Sequence, residues 1–207
     1  EEVSEALQKG KAKVVKELVQ ELVDDGVDAK KILNEGLLFG MSVIGEKFKN
    51  NEVFVPEVLV AARAMNAGLA ILEPKLAEIG NVSVGKAVIG TVKGDLHDIG
   101  KNLVSMMLKG AGFEVVDLGV DVGAEQFVER AEEVGADIIC ISALLTTTMS
   151  NMKSTIDLLN EKGKRNKYIV MVGGAPVNDN FAKQIGADYY AADAATAGTV
   201  AKQAIAQ

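Results

Sequence analysis

The chain has 207 residues, of which 48% are apolar, 25% charged and 4% aromatic, enough for one large α/β domain or two modest ones with cores of their own. Its formal net charge of −7 lacks the basic footprint of a nucleic-acid binder and makes an anionic membrane surface an equally poor partner. A single cysteine, Cys140, excludes an intrachain disulfide framework and any cysteine-rich zinc or iron–sulfur site, and a single histidine, His97, excludes any mechanism that needs two imidazoles.

The first eighty residues read as helices, because apolar side chains recur at steps of three and four. One stripe runs through Val14, Val15, Leu18, Val19, Leu22 and Val23, a second through Leu33, Leu37, Met41, Ile44 and Phe48, and a third through Val58, Ala62, Met65, Leu69, Leu72 and Leu76. Glu2–Gln8 is a short fourth candidate. Asp28 suits an N-cap after the break at Gly26, and Pro56 with Glu57 suits a first helical turn. Short connections favour antiparallel neighbours, so a four-helix bundle is expected over residues 1–80. No charged-then-apolar leader opens the chain and no run of consecutive apolar residues approaches a membrane span, so a cytoplasmic location is expected.

Beyond Gly85 the pattern changes to short β-rich runs. Strands are predicted over Ala87–Val92, Glu114–Leu118, Asp137–Ser142, Tyr168–Val172 and Asp188–Ala191, with helices over Ile99–Ala111, Ala124–Val134, Met149–Glu161, Asn180–Ile185 and Ala194–Ala206. Apolar strands alternating with amphipathic helices imply right-handed crossovers and a five-stranded, parallel, doubly wound sheet of flavodoxin-like (Rossmann-like) order over residues 86–207. Ligands of such sheets bind beyond the carboxyl ends of the strands, which directs attention to Lys93–Asp98, Ala143–Thr148 and Gly173–Val177.

The first of these loops reads Gly94, Asp95, Leu96, His97, Asp98, Ile99, Gly100. A carboxylate two residues before an imidazole can accept from one ring nitrogen and leave the other free for a metal or a proton. Gly94 and Gly100 leave room for a bulky flat ligand or a close backbone approach. The second loop supplies hydroxyls from Ser142, Thr146, Thr147 and Thr148, which also suit ordinary turn and capping chemistry, and the third removes side chains at Gly173 and Gly174, which also suits a tight turn. Cys140, inside an apolar strand, reads as a buried small hydrophobe, and Asp24, Asp25, Glu132 and Glu133 as solvated helix surface. Lys101 and Asn102 are candidates to support the first loop.

The spacing gives the three loops their specificity: 41 residues separate Gly100 from Ser142 and 28 separate Leu144 from Gly173. The series DxHxxG, SxL, GG at these distances resembles the cobalamin-binding signature of the methionine synthase type, and Gly45–Phe48 with Val55–Val58 resembles that family's helical cap. A cap with one B12-binding domain is similar in size to the stand-alone corrinoid subunits of methanol, methylamine and methoxy-aromatic methyltransferase systems. The resemblance implies that His97 is the lower axial ligand of cobalt in a base-off, His-on corrinoid, carried in part as methylcobalamin. It implies that Asp95 holds the distal ring nitrogen and that Thr148 extends the chain from that carboxylate. It places Gly94, Leu96, Asp98, Ile99, Gly100 and Thr146 at the corrin, and Ser142, Leu144, Gly173 and Gly174 along the slot for the displaced nucleotide tail. Phe48 and Val55 would face the methyl group, and Ile79–Gly85 would be the hinge of the cap. The implied function is that of a non-catalytic methyl carrier. Its cobalt(I) would accept a methyl group through a substrate-specific methyltransferase and yield it to an acceptor methyltransferase that uses tetrahydrofolate or a thiol, with a reductive activator as a further partner. A cobalamin-responsive sensor module, a mutase small subunit and a nucleotide or flavin binder are the alternatives. The first would need a basic DNA-binding domain, the second ordinarily lacks the cap, and the third leaves the Asp95–His97 loop unexplained.

Overall fold

Apolar side chains at helical spacing wind the start of the chain into four rods. These are α1 (Glu2–Gln8), α2 (Ala12–Asp24), a third rod over residues 29–49, and α5 (Val55–Ile79). The third rod is continuous but not uniform: a turn of α-helix, α3 (Ala29–Lys31), passes into a π-helical segment, Ile32–Leu38, and then into α4 (Phe39–Lys49). Asp28 caps its start by accepting from the Lys30 N–H, and Glu57 accepts from the Phe54 N–H at the start of α5, so the predicted boundaries have their chemistry. Leu7, Val15, Val19, Leu37, Met41, Ile44, Val58, Met65 and Leu72 form the core of this unit, each contributing about 1.5–3 kcal/mol on burial. Glycine lets the rods close up: a Cβ on Gly68 would lie 2.8 Å from Leu37 Cδ2 and 3.0 Å from Val15 Cγ1.

Over Val55–Leu76, α5 has the length and mean hydropathy, 1.4, that could cross a membrane. Counting consecutive apolar residues misses it because Glu57, Arg63, Asn66, Glu73 and Lys75 interrupt the run without bringing the average below 1.4. In the bundle α5 packs on α2 and buries Val58, Ala61, Ala62, Met65 and Leu72.

The structure, a computed structural model, describes residues 1–79 and 83–207, so the expected hinge Ile79–Gly85 falls partly outside the described residues. These divide into two compact units, Glu1–Ser83 with Gly110–Gly112, and Val84–Lys109 with Phe113–Gln207. The second unit alternates strand and helix throughout: β1 (Lys86–Thr91), α6 (Ile99–Gly110), β2 (Glu114–Asp117), α7 (Ala124–Val134), β3 (Ile138–Ser142), α8 (Ser150–Glu161), β4 (Ile169–Gly173), α9 (Asp179–Ile185), β5 (Tyr189–Ala191) and α10 (Ala194–Ile205). All strand pairs are parallel, in the order β2-β1-β3-β4-β5. This is the doubly wound, flavodoxin-like arrangement, whose order reverses between β1 and β3. The central strands are buried on both faces, as their near-continuous Val, Ile and Ala runs require. Register sets Thr91 beside Ser142 and Ser142 beside Gly173, so the three predicted loops leave the sheet at one level.

Candidate functional site

The loop after β1 is organised around Asp95, which is fully buried. Its Oδ1 accepts from His97 Nδ1 at 2.7 Å and from the His97 N–H at 3.1 Å. Its Oδ2 accepts from the Leu144 N–H at 2.8 Å, the Leu145 N–H at 3.1 Å and Thr148 Oγ1 at 3.0 Å. Burial by itself pushes the carboxyl up, but these donors, the Leu144 N–H and the His97 ring foremost, outweigh it and hold Asp95 well below the usual carboxylate range. Asp95 is therefore a buried anion with nearly every lone pair engaged.

An ionised carboxylate can only accept, so the hydrogen of the neutral His97 ring sits on Nδ1 and the lone pair on Nε2. His97 is half exposed, and Nε2 has no hydrogen-bond partner among the described residues. The main chain beneath the ring is fixed as well: Thr91, buried at the end of β1, donates through Oγ1 to the His97 carbonyl at 2.8 Å. Asn151 Nδ2 donates to the Lys93 carbonyl at 2.7 Å.

Among the described residues no three His, Cys, Asp or Glu side chains converge to hold a metal ion. The side chains here can offer a metal one imidazole nitrogen, which is the donor set for a metal that brings its own equatorial ligands. The surroundings fit a flat apolar macrocycle. Leu96 and Ile99 are each 72% exposed, and Leu144 and Leu145 are exposed beside them in the chain's second loop. A Cβ on Gly100 would meet nothing within 4 Å, so no atom of the chain requires a glycine at this position.

The third loop has the opposite character. Gly174, at φ +130°, would place a Cβ 1.9 Å from the Ala143 carbonyl oxygen, so its glycine is demanded by the fold itself. Gly173 ends β4, where its carbonyl accepts from the Ala143 N–H, and Ser142 accepts from the Val92 N–H through its carbonyl. Thr146 is exposed in a short 3-10 turn, Thr146–Thr148. Thr148 does not cap α8, the turn chemistry its position equally suited: its hydroxyl lies between Asp95 Oδ2 and the Leu145 carbonyl and can donate to one at a time. Asp98 is exposed and its carbonyl accepts from the Asn102 N–H.

The backbone donors to Asp95 and the reach of Asp121 escape a residue-by-residue reading, whereas Lys101, expected to support the first loop, bonds Asp117 and Asn102 instead. Two of Asp95's donors are backbone amides of Leu144 and Leu145, which no side-chain identity announces. Lys101 is buried to 3% exposure and bonds Asp117 Oδ2 at 2.6 Å and Asn102 Oδ1 at 2.7 Å, tying α6 to β2. Asp121 reaches the first loop from the turn after β2. Phe48 and Val55 are half buried in the helical unit, at the end of α4 and the start of α5. Cys140 lies in the sheet core, where burial pushes its thiol up to about 12, as inert as its position in β3 suggested.

Family models described as B12 binding domains match residues 85–200 and residues 1–73. The chain belongs to the B12-binding corrinoid proteins. It is 48% identical over 194 residues to a corrinoid protein of Desulfitobacterium hafniense (strain Y51), covering 92% of this chain and 90% of the relative. It is 46% identical over 209 residues to the dimethylamine corrinoid protein of Methanosarcina barkeri, covering 92% and 98%. Among solved structures, a chain of the methanol:cobalamin methyltransferase complex MtaBC of Methanosarcina barkeri superposes with a TM-score of 0.89 at 32% identity, over 99% of this chain and 78% of that one. A cobalamin-binding protein of Desulfitobacterium hafniense DCB-2 superposes with a TM-score of 0.79 at 33% identity, over 97% and 96%. The helical unit followed by a five-stranded parallel sheet is thus the architecture of a corrinoid protein, and the cofactor class that this architecture serves is a corrinoid.

Proposed function

We propose that this corrinoid protein is a methyl carrier. A substrate-specific methyltransferase delivers a methyl group to its cofactor, and an acceptor methyltransferase removes it to tetrahydrofolate or a thiol, with a reductive activator restoring cofactor lost to oxidation. The observation that carries the proposal is the His97 ring, held at Nδ1 by a buried anion and free at Nε2. The dimethylamine corrinoid protein and the methanol:cobalamin methyltransferase complex among its relatives favour a role in methyl transfer.

In this reading Nε2 of His97 would hold the cobalt of a corrinoid whose own base is displaced. When bound, the corrinoid supplies a cobalt centre that takes up and releases a methyl group as it alternates between its one- and three-valent states. The chain's own residues orient the ligand and hold its proton. Asp95 fixes the Nδ1 tautomer, and when Nε2 is not engaged by metal it can take a proton there, the positive ring then lying 2.7 Å from the Asp95 carboxylate. Because its backbone donors keep Asp95 ionised, that proton belongs on the ring and not on the carboxylate. Leu96, Ile99 and Gly100 would hold the corrin with Gly94, Asp98 and Thr146, and Ser142, Leu144, Gly173 and Gly174 would hold the nucleotide tail. The helical residues 1–80 would serve as the cap, with Phe48 and Val55 as its residues for the methyl group, and residues 86–207 would bind the corrinoid.

The test is the EPR spectrum of the cobalt(II) form after reconstitution with cobalamin. The wild-type chain labelled with 15N-histidine should show 15N coupling to cobalt, distinct from the nitrogen of the cofactor's own base, and His97→Ala should lose it while still taking up corrinoid. A wild-type spectrum without protein nitrogen coupling, or one unchanged by His97→Ala, would overturn the assignment.

A further inference from the structure

Asp121 lies in the turn between β2 and α7, and its backbone has φ +54°, one of two non-glycine residues in the left-handed region among the described residues. A residue with a Cβ holds that conformation at a cost of about 1 kcal/mol, which something nearby must offset. Two contacts do so. Asp121 Oδ1 accepts from the Gly94 N–H at 2.7 Å, and the Asp121 N–H donates to the Asp95 carbonyl at 3.0 Å. The turn itself is fastened to the end of β1, where Thr91 donates to the Gly119 carbonyl at 3.0 Å and accepts from the Val122 N–H at 2.9 Å.

The two contacts from Asp121 fall on either side of the Asp95 Cα. The Asp95 side chain, in contrast, is gripped from the loop after β3, by Leu144, Leu145 and Thr148. Thr91 holds the His97 carbonyl, Asn151 the Lys93 carbonyl and Val92 the Asp95 N–H, which leaves the Gly94 N–H and the Asp95 carbonyl for Asp121 to fix, while fixing the main chain alone leaves the carboxylate free to turn. With both fixed, the bond from Asp95 Oδ1 to His97 Nδ1 has one direction, and Nε2 points one way.

We infer that Asp121 is a positioning residue for His97, acting through a two-point clamp on the Gly94–Asp95 main chain. This rests on the reading of His97 as the axial ligand. The required feature is an acceptor oxygen on a residue that tolerates the left-handed conformation. Asparagine supplies both, glycine only the second.

The experiment compares Asp121→Asn and Asp121→Gly with the wild type, each reconstituted with cobalamin, by the nitrogen-coupled fraction of the cobalt(II) EPR signal and by the corrinoid dissociation constant. Asp121→Gly should lower the nitrogen-coupled fraction and weaken corrinoid binding by about tenfold, the range seen when groups behind a metal ligand are removed. Asp121→Asn should retain wild-type values in both. Wild-type behaviour of Asp121→Gly would overturn the inference, as would Asp121→Asn behaving like Asp121→Gly, since the charge and not the clamp would then be at work. A wild-type chain without nitrogen coupling would instead remove the axial-ligand reading on which the inference stands. Should Asp121→Gly lose its thermal transition, the Asn variant alone still decides, because it must match the wild type.

Discussion

Asp95 carries a charge in the interior without a cation beside it, and it does so by collecting donors from two loops. Replacing it with Asn turns one acceptor oxygen into a donor that faces other donors, the arrangement that costs most inside a protein. We expect Asp95→Asn to lower the unfolding free energy of the cofactor-free chain by about 3 kcal/mol at pH 7. The pH dependence has a definite sign. The carboxyl sits below its ordinary value of 3.8 in the folded chain, so the unfolded chain binds the proton first as the pH falls. The advantage of wild type over Asp95→Asn should shrink as the pH falls below 3.8, as measured by urea unfolding through that range. A difference that grew below pH 3.8 would mean that Asp95 is protonated in the folded state.

Among the secondary elements, two glycines, one after β1 and one after β4, separate what the fold demands from what the ligand demands. Gly174 cannot carry a Cβ, because one would collide with the Ala143 carbonyl, whereas Gly100 opens α6 with space around it. Alanine is the better helix former by up to about 1 kcal/mol, so a glycine at position 100 works against α6 with no packing reason of its own. Gly174→Ala should destabilise the chain by more than about 3 kcal/mol. Gly100→Ala should keep or raise the melting temperature and weaken corrinoid uptake, read by thermal denaturation of the apoprotein and by absorbance titration with cobalamin. Unimpaired uptake by Gly100→Ala would mean that the corrin edge lies elsewhere.

Across the whole molecule, most of the architecture could be read from residue type because the signals were periodic. The runs of Ile, Val and Ala in the sheet gave every strand to within one residue at each end, and the position of α1 followed from its apolar spacing. The π-helical segment Ile32–Leu38 escaped, since its apolar residues satisfy an α-helical stripe equally well. Within the site, Asp95, His97 and the glycines stand out by chemistry and spacing, and Thr148 by the family resemblance. The amide donors of Leu144 and Leu145 and the clamp from Asp121 do not, because each depends on which loops the sheet order makes neighbours. That dependence also has a consequence in time. The Thr148 to Asp95 bond joins groups 53 residues apart, and it cannot close before β1 and β3 have paired. Long-range parallel pairing is the slow part of assembling such a sheet. In stopped-flow refolding with cobalamin present, the absorbance change of cofactor capture should therefore follow the slowest folding phase. A nascent chain would be equally unable to load its cofactor until the loop after β3 had been synthesised, which makes loading a late step in the life of the polypeptide.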